Sequence, residues 1–259
     1  GTVLLAKGTR VGPGQLALAR AGGHGTLAVA SRPRLVVVEC GDELVADPQT
    51  SAPDRLPASN GAMVAAMAAS LGARVQRIGP LPDDRAVLAR ALADAAEAEV
   101  LVTTAGASVG EHDHVRGALE DAGASLAFWR VAIRPGKPLL VARRGAQLVL
   151  GLPGNPASAF VTAFLFLLPL LRALQGAART FPAAIPLPLA DPLPAGGERR
   201  EFLRARFTDG QAVPLAERDS SALRVLAAAD LLIDRPIGAA AAPSGSVVSC
   251  YWLESGGIA

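Results

Sequence analysis

A short β-branched and apolar run, Val100-Leu101-Val102-Thr103-Thr104, leads directly into the small-residue stretch Ala105-Gly106-Ala107-Ser108-Val109-Gly110. This junction constrains the chain more than any other feature. The run reads as a buried strand. Beyond Glu111-His112-Asp113, the residues Val115, Ala118, Leu119 and Ala122 fall at one-sided helical spacing, with Gly123 placed to end the helix. Strand, glycine loop and helix start in that order aim backbone N–H groups at an anion. The carboxylates Glu111 and Asp113 add a place for a metal or a proton. The loop reads as the floor of an active site.

The same alternation surrounds it. Leu35–Val38 reads as a strand. Ser59 can cap a helix that sets Met63, Met67 and Leu71 on one side. Arg74–Ile78 is a further strand, and Asp83 precedes a helix with Leu88, Ala91, Leu92 and Ala95 inward. Strands follow near Leu126–Ile133, Leu139–Ala142 and Leu148–Leu150, and a long apolar helix closes the series. Strands alternating with helices predict an α/β fold, a mostly parallel sheet sandwiched by helices, over residues 33–178. Residues 1–32 read as the remnant of a preceding domain, with a short strand at Val3–Ala6 and a helix at Pro13–Ala21. Past residue 178, prolines at 182, 186, 188, 192 and 194 remove any helical period. Short strands at Phe202–Phe207, Val213–Leu215, Leu231–Ile233 and Val247–Trp252 predict a small, mainly-β domain over 179–259.

Composition narrows the function. With 51% hydrophobic and 19% charged residues, the chain can bury a substantial core. A formal net charge of +2 leaves no broad nucleic-acid footprint, so phosphate binding must be local. Cys40 and Cys250 stand far apart, which argues against structural zinc and for a reduced, cytoplasmic setting. The chain begins at Gly1 with no charged-then-apolar leader, the expectation for a piece whose start is missing. A membrane span needs roughly 20 apolar residues. The run Ala157–Leu171 is shorter and contains Ser158, Thr162 and Pro169, so it reads as a core helix and no membrane is expected.

Gly106-Ala107-Ser108-Val109-Gly110 fits the nucleophile elbow of α/β-hydrolases. The histidines, His24, His112 and His114, leave no base downstream, and the hydrolase reading fails. There is no G-x-G-x-x-G, and Gly136-Lys137 is followed by Pro138, so neither a dinucleotide fingerprint nor a Walker loop is present. A second loop, Gly151-Leu152-Pro153-Gly154-Asn155-Pro156-Ala157-Ser158, also joins a strand to a helix start. Taken alone it could be a plain turn with an Asn or Ser cap. Two such loops at strand ends of one sheet point to a ligand crevice. Arg130, Arg134 and Lys137 lie between them, and charge flanked by Phe128, Trp129 and Ile133 calls for an anionic partner or a solvated edge. Glu43, Asp83 and Asp113 each follow a strand. Singly they read as turn or cap residues, but grouped they suit Mg2+.

At these residues the chain resembles the molybdopterin molybdenumtransferases, bacterial molybdenum-insertion enzymes related to the gephyrin E domain. The resemblance is carried by Gly41-Asp42-Glu43-Leu44, by Ser108-Val109-Gly110-Glu111-His112-Asp113, by Phe128-Trp129 through Gly136-Lys137-Pro138, and by Gly151-Leu152-Pro153-Gly154-Asn155-Pro156. It implies a molybdopterin-binding domain followed by a barrel-like β domain. The implied reaction inserts molybdate into adenylated molybdopterin and releases AMP with Mg2+. By resemblance, Glu43, Asp83 and Asp113 are the active-site acids and metal ligands. Gly106, Ser108, Gly110, Arg130, Arg134, Lys137, Pro153, Gly154, Asn155, Pro156 and Ser158 hold the substrate, and Arg204 and Ser220 meet molybdate.

The resemblance further implies a homodimer, contacts with other molybdenum-cofactor biosynthesis proteins, and a region upstream of Gly1. Arg130 and Arg134 stand where the family usually has Lys, which keeps charge but changes geometry. Ala58 replaces a usual acid, and Ala105 a usual glycine. A module of the same fold that holds molybdopterin without turnover is the alternative.

Overall fold

The computed structural model of the chain describes residues 1–50, 54–104, 114–217, 219 and 221–253. The expectations for Gly106, Ser108, Gly110, Asp113 and Ser220 lie outside the described residues. Helix α1 (Pro13–Ala21) opens on a proline, whose missing N–H is no loss at a first helical position, and stops at Gly22. The expected strand at Val3–Ala6 does not form. The segment joins none of the sheets, and an isolated strand has no ladder to hold it.

The first unit runs β1 (Arg34–Cys40), β2 (Leu44–Val45), β3 (Leu56–Pro57), α2 (Asn60–Ser70), β4 (Arg74–Leu81), α3 (Arg85–Asp94), β5 (Val100–Thr104), α4 (His114–Asp121), β6 (Ser125–Trp129), β7 (Ile133–Arg134), β8 (Leu140–Arg144), β9 (Gln147–Leu152) and α5 (Pro156–Thr162). A π-helical turn (Ala163–Leu167) then leads into α6 (Leu168–Leu174). Six strands form a mixed sheet in the order β4-β1-β5-β9-β8-β6. The first four are parallel, and β8 and β6 close the sheet antiparallel.

Helices cover both faces, so β1 and β5 appear in the sequence as unbroken runs of Val and Leu. On one face, Val64 and Met67 of α2 and Phe164, Leu167 and Leu171 of the long helix pack on Leu35, Val37, Val100, Val102 and Leu152. On the other, Leu88, Leu92, Val115 and Leu119 pack on Val36, Val38, Leu101 and Val149. By length and composition alone Pro156–Leu174 could cross a membrane, yet most of it is buried inside the protein. Pro169 lacks the N–H that a regular helix would use, and the π-helical turn ends two residues before it.

The second unit contains β10 (Ile185–Pro188), β11 (Arg200–Thr208), β12 (Gln211–Pro214), α7 (Leu223–Ala227), β13 (Leu231–Arg235) and β14 (Val247–Trp252). Its strands are ordered β10-β14-β13-β11-β12, and a bridge from Leu189 to Ala212 returns the last strand to the first. The result is a small barrel filled by Leu189, Leu193, Ala205, Leu231, Ile233 and Cys250. Closure of this kind leaves no long open edge.

The single strand expected over Leu126–Ile133 is instead two. Arg130 takes φ 75°, a left-handed backbone that ends β6 at Trp129. The chain then leaves the first sheet. β7 pairs parallel with β11 of the barrel, Ile133 opposite Arg200 and Arg134 opposite Glu201.

Candidate functional site

The parallel strands β1, β4, β5 and β9 end at Cys40, Leu81, Thr104 and Leu152, and ligands of open α/β sheets bind outside such ends. β1 runs into Gly41-Asp42-Glu43, and β4 into Pro82-Asp83-Asp84. The two turns meet: the Asp83 N–H donates to Asp42 Oδ1 at 3.1 Å. Although Asp83 lies at the surface, partial desolvation pushes its carboxyl above the ordinary 3.8. The charges of Asp42 and Glu43 push the same way, and His114 opposes them.

Asp84, not Asp83, caps α3, accepting the N–H groups of Ala86 and Val87 at 2.8 and 2.9 Å. The cap explanation for Asp83 is thereby removed. Glu43 and Asp83 are brought together, and Asp42 joins them unforeseen. Among the described residues, no group of three His, Cys, Asp or Glu side chains is placed to hold a metal.

The second loop leaves β9 through buried Pro153 and exposes Gly154 and Asn155 before Pro156 opens α5. Asn155 occupies the cap position without a side-chain cap bond. Asn60, at the start of α2, donates from Nδ2 to the Gly154 carbonyl at 2.5 Å and ties the loop to the neighbouring helix. Ser59, expected to cap α2, makes no such bond. Glu39 acts there in its place. Buried at the end of β1, it accepts the Gly61 N–H at 2.7 Å and the Arg77 guanidinium at 2.7 Å. A carboxylate suits the positive end of a helix. Sequence reasoning missed it because Glu39 sits inside an apolar run and its two partners are remote in the chain.

Between the two units lies a cleft of about 380 Å3. Arg134, Gly136, Lys137 and Pro138 form one wall, Ser158 of α5 the floor, and Arg199, Phe202, Arg204, Glu217 and Asp219 of the barrel the other wall. Gly136 has φ 109°, and a methyl there would lie 2.6 Å from Thr162 Cγ2, so glycine lets this loop lie flat on α5. Arg134 pairs with Glu201 at 3.3 Å. Arg204 is 6% exposed, and its two terminal nitrogens donate to the carbonyls of Asp219 and Glu217 at 3.0 and 2.9 Å. Burial lowers its pKa below the ordinary arginine value, against the opposing charges of Glu217 and Asp219.

Four of the expected residues, Arg134, Lys137, Ser158 and Arg204, thus converge. Arg130 does not join them: it is exposed, and its guanidinium stacks 4.1 Å from the Trp129 ring centroid. Glu217 and Asp219 were legible only as neighbours of Ser220, and Arg199 as one more charge in a charged run. Cationic groups and a hydroxyl around one opening can accept a small oxyanion. The acidic edge can accept a cation.

Residues 36–173 match the family model described as "Probable molybdopterin binding domain", and residues 186–253 that of the "MoeA C-terminal region (domain IV)". A molybdopterin molybdenumtransferase from Nostoc sp. is 34% identical over 208 residues, covering 78% of this chain and 48% of the relative. Another, from Bacillus subtilis, is 32% identical over 262 residues, covering 98% of this chain and 60% of the relative. The crystal structure of the molybdopterin biosynthesis moea protein from Pyrococcus horikosii has a TM-score of 0.84 at 26% identity, covering 97% of this chain and 62% of that one. The chain therefore spans about half to three-fifths of the length of these proteins. With both units matched in the same order, the chain belongs to the molybdopterin molybdenumtransferase (MoeA) family.

Proposed function

We propose that the protein acts in molybdenum cofactor biosynthesis, inserting molybdate into adenylated molybdopterin with release of AMP. The observation that carries this is the cleft in which Arg134, Lys137, Ser158 and Arg204 face one opening from both units. A tetrahedral oxyanion matches donors converging from several sides, and charge-assisted hydrogen bonds hold it. Lys137 supplies a compact charge, Ser158 a hydroxyl, and Arg204 a guanidinium already stripped of water. The transferase names of the relatives support turnover over a module that only holds the pterin.

At the sheet edge the donors are all oxygens, as Mg2+ prefers. Glu43 and Asp83, with Asp113 of the central loop, would hold the ion. Desolvation raises the Asp83 pKa, repulsion from Asp42 and Glu43 adds to it, and a cation would relieve that repulsion. Bound there, Mg2+ would neutralise charge on the adenylate phosphate. The protein's own groups fix the rest: the loops after β5 and β9, including Gly106, Ser108, Gly110 and Pro153–Pro156, orient the ligand, and the cleft holds the oxyanion beside it. Homodimer formation, a cytoplasmic setting and contacts with other cofactor-biosynthesis proteins belong to the proposal through the family resemblance.

Incubation with adenylated molybdopterin, Mg2+ and molybdate tests it. Molybdate-dependent AMP release is expected, lowered at least tenfold in Lys137→Ala and Arg204→Ala. Wild-type protein that releases no AMP in response to molybdate would sink the proposal.

A further inference from the structure

Four cationic side chains line the cleft among the described residues, Arg134, Lys137, Arg199 and Arg204. Two of them are engaged. Arg134 pairs with Glu201 at 3.3 Å, and Arg204 gives its terminal nitrogens to the carbonyls of Asp219 and Glu217. The side chains of Lys137 and Arg199 form neither a hydrogen bond nor an ion pair with any described residue. The neighbouring Arg200 shows the contrast, because it holds Asp234 through two bonds of 2.7 and 2.5 Å. Arg199 is half-buried and has no such task.

Its place is nevertheless fixed. The Gly197 carbonyl, two residues before it, accepts the Gly238 N–H at 3.0 Å, and the Arg200 N–H, one residue after it, donates to the Ala132 carbonyl at 2.9 Å. Lys137 is anchored likewise: its carbonyl accepts the N–H groups of Val131 and Leu139 at 3.0 and 3.1 Å. Lys137 stands on the wall of the first unit and Arg199 on that of the barrel.

Against the four cations stand three carboxylates of the same described lining, Glu201, Glu217 and Asp219. Without Arg199 the two signs balance. The positive excess that draws an anion into the cleft thus depends on a guanidinium that the fold leaves unpaired. Partial burial strips water from that charge, and an anion in the cleft replaces it. The planar fork meets two oxygens of a tetrahedral oxyanion at once, whereas the Lys137 ammonium is a point charge.

We infer that Arg199 is a substrate-binding residue, its guanidinium holding the molybdate oxyanion from the barrel wall across from Lys137. This rests on the proposed function and names the side chain that gives the cleft its preference for a dianion.

Arg199→Gln removes the charge, and Arg199→Lys removes only the fork. Calorimetric titration of the whole chain with molybdate is expected to show binding about tenfold weaker in Arg199→Gln, with a flatter dependence on added NaCl. Arg199→Lys keeps the wild-type salt dependence and loses about threefold in affinity. The Tm of both variants stays within about 2 °C of the wild type, because Arg199 has no partner in the protein to lose. Wild-type molybdate affinity in Arg199→Gln overturns the inference and leaves the proposed function standing. So does a larger Tm loss in Arg199→Gln, which identifies a structural arginine. A wild-type protein that binds no molybdate overturns the proposed function, and the inference with it.

Discussion

Asp83 leans on Asp42: its backbone N–H donates to Asp42 Oδ1 at 3.1 Å while the two carboxylates repel each other. Partial desolvation, and after it the charges of Asp42 and Glu43, hold the Asp83 pKa above 3.8. A carboxyl whose native pKa exceeds its unfolded value contributes stability at low pH that is lost as pH rises through the native pKa. At neutral pH, ionised Asp83 therefore destabilises the fold.

Asp83→Asn is expected to raise Tm at pH 7 by about 1–2 °C, a small gain because Asp83 stays solvated. The difference should vanish as pH falls through the carboxylate range. Mg2+ should stabilise the wild type more than the variant. Thermal melts over a pH series, with and without Mg2+, check both. A variant less stable than the wild type at pH 7 would contradict the account.

Arg204 holds the carbonyls of Glu217 and Asp219 with two nitrogens, a fork that lysine cannot reproduce. Arg204→Lys should therefore lose molybdate affinity nearly as much as Arg204→Ala, at least tenfold in calorimetry. Urea midpoints should report a stability loss of about 1–3 kcal/mol for Arg204→Ala, since two partly buried carbonyls lose their donor. Wild-type affinity in Arg204→Lys would mean that charge alone matters.

Gly61 has no room for a side chain, because a Cβ there would overlap the Glu39 carboxylate. Glu39 is 1% exposed and held from two directions, so it cannot yield. Gly61→Ala should cost about 2–3 kcal/mol in urea unfolding, despite alanine's higher helix propensity. An unchanged midpoint would show that Glu39 has another resting place.

Lys137 is exposed on the cleft wall and forms no salt bridge among the described residues. Its attraction for an oxyanion is open to screening by salt. Molybdate affinity should fall with added NaCl in the wild type, and less steeply in Lys137→Ala. Parallel slopes would place Lys137 outside the binding field.

Much of this fold is legible in the sequence because local pattern and burial agree. Leu88, Ala91, Leu92 and Ala95 announce the inward face of α3, and all four are buried. The Val-Leu runs of β1 and β5 announce strands covered on both faces. The break at Arg130 has no such signature. Phe128 to Ile133 reads as one apolar strand, and only the tertiary fold reveals that it turns at φ 75° and changes sheets. Asp83 and Asp84 are adjacent acids with equal claims to cap α3. The cap went to the one whose oxygen reaches two N–H groups. Glu217 and Asp219 of the cleft escaped notice because they come from another unit, where the Arg204 guanidinium donates to both of their carbonyls.

The two residues of β7 have a consequence beyond their length. They belong to the chain of the first unit and to the hydrogen-bond ladder of the barrel, and the loop that carries Lys137 hangs directly from them. Phe202, Leu232 and Tyr251 of the barrel also pack into the apolar cluster beneath α5. Swinging the units apart like a jaw would tear that ladder and wet those side chains. The gauge of the cleft, from the Lys137 wall to the Arg204 wall, is set when the chain folds. A ligand meets two walls already tied to one another, and opening them further would cost that ladder and that packing.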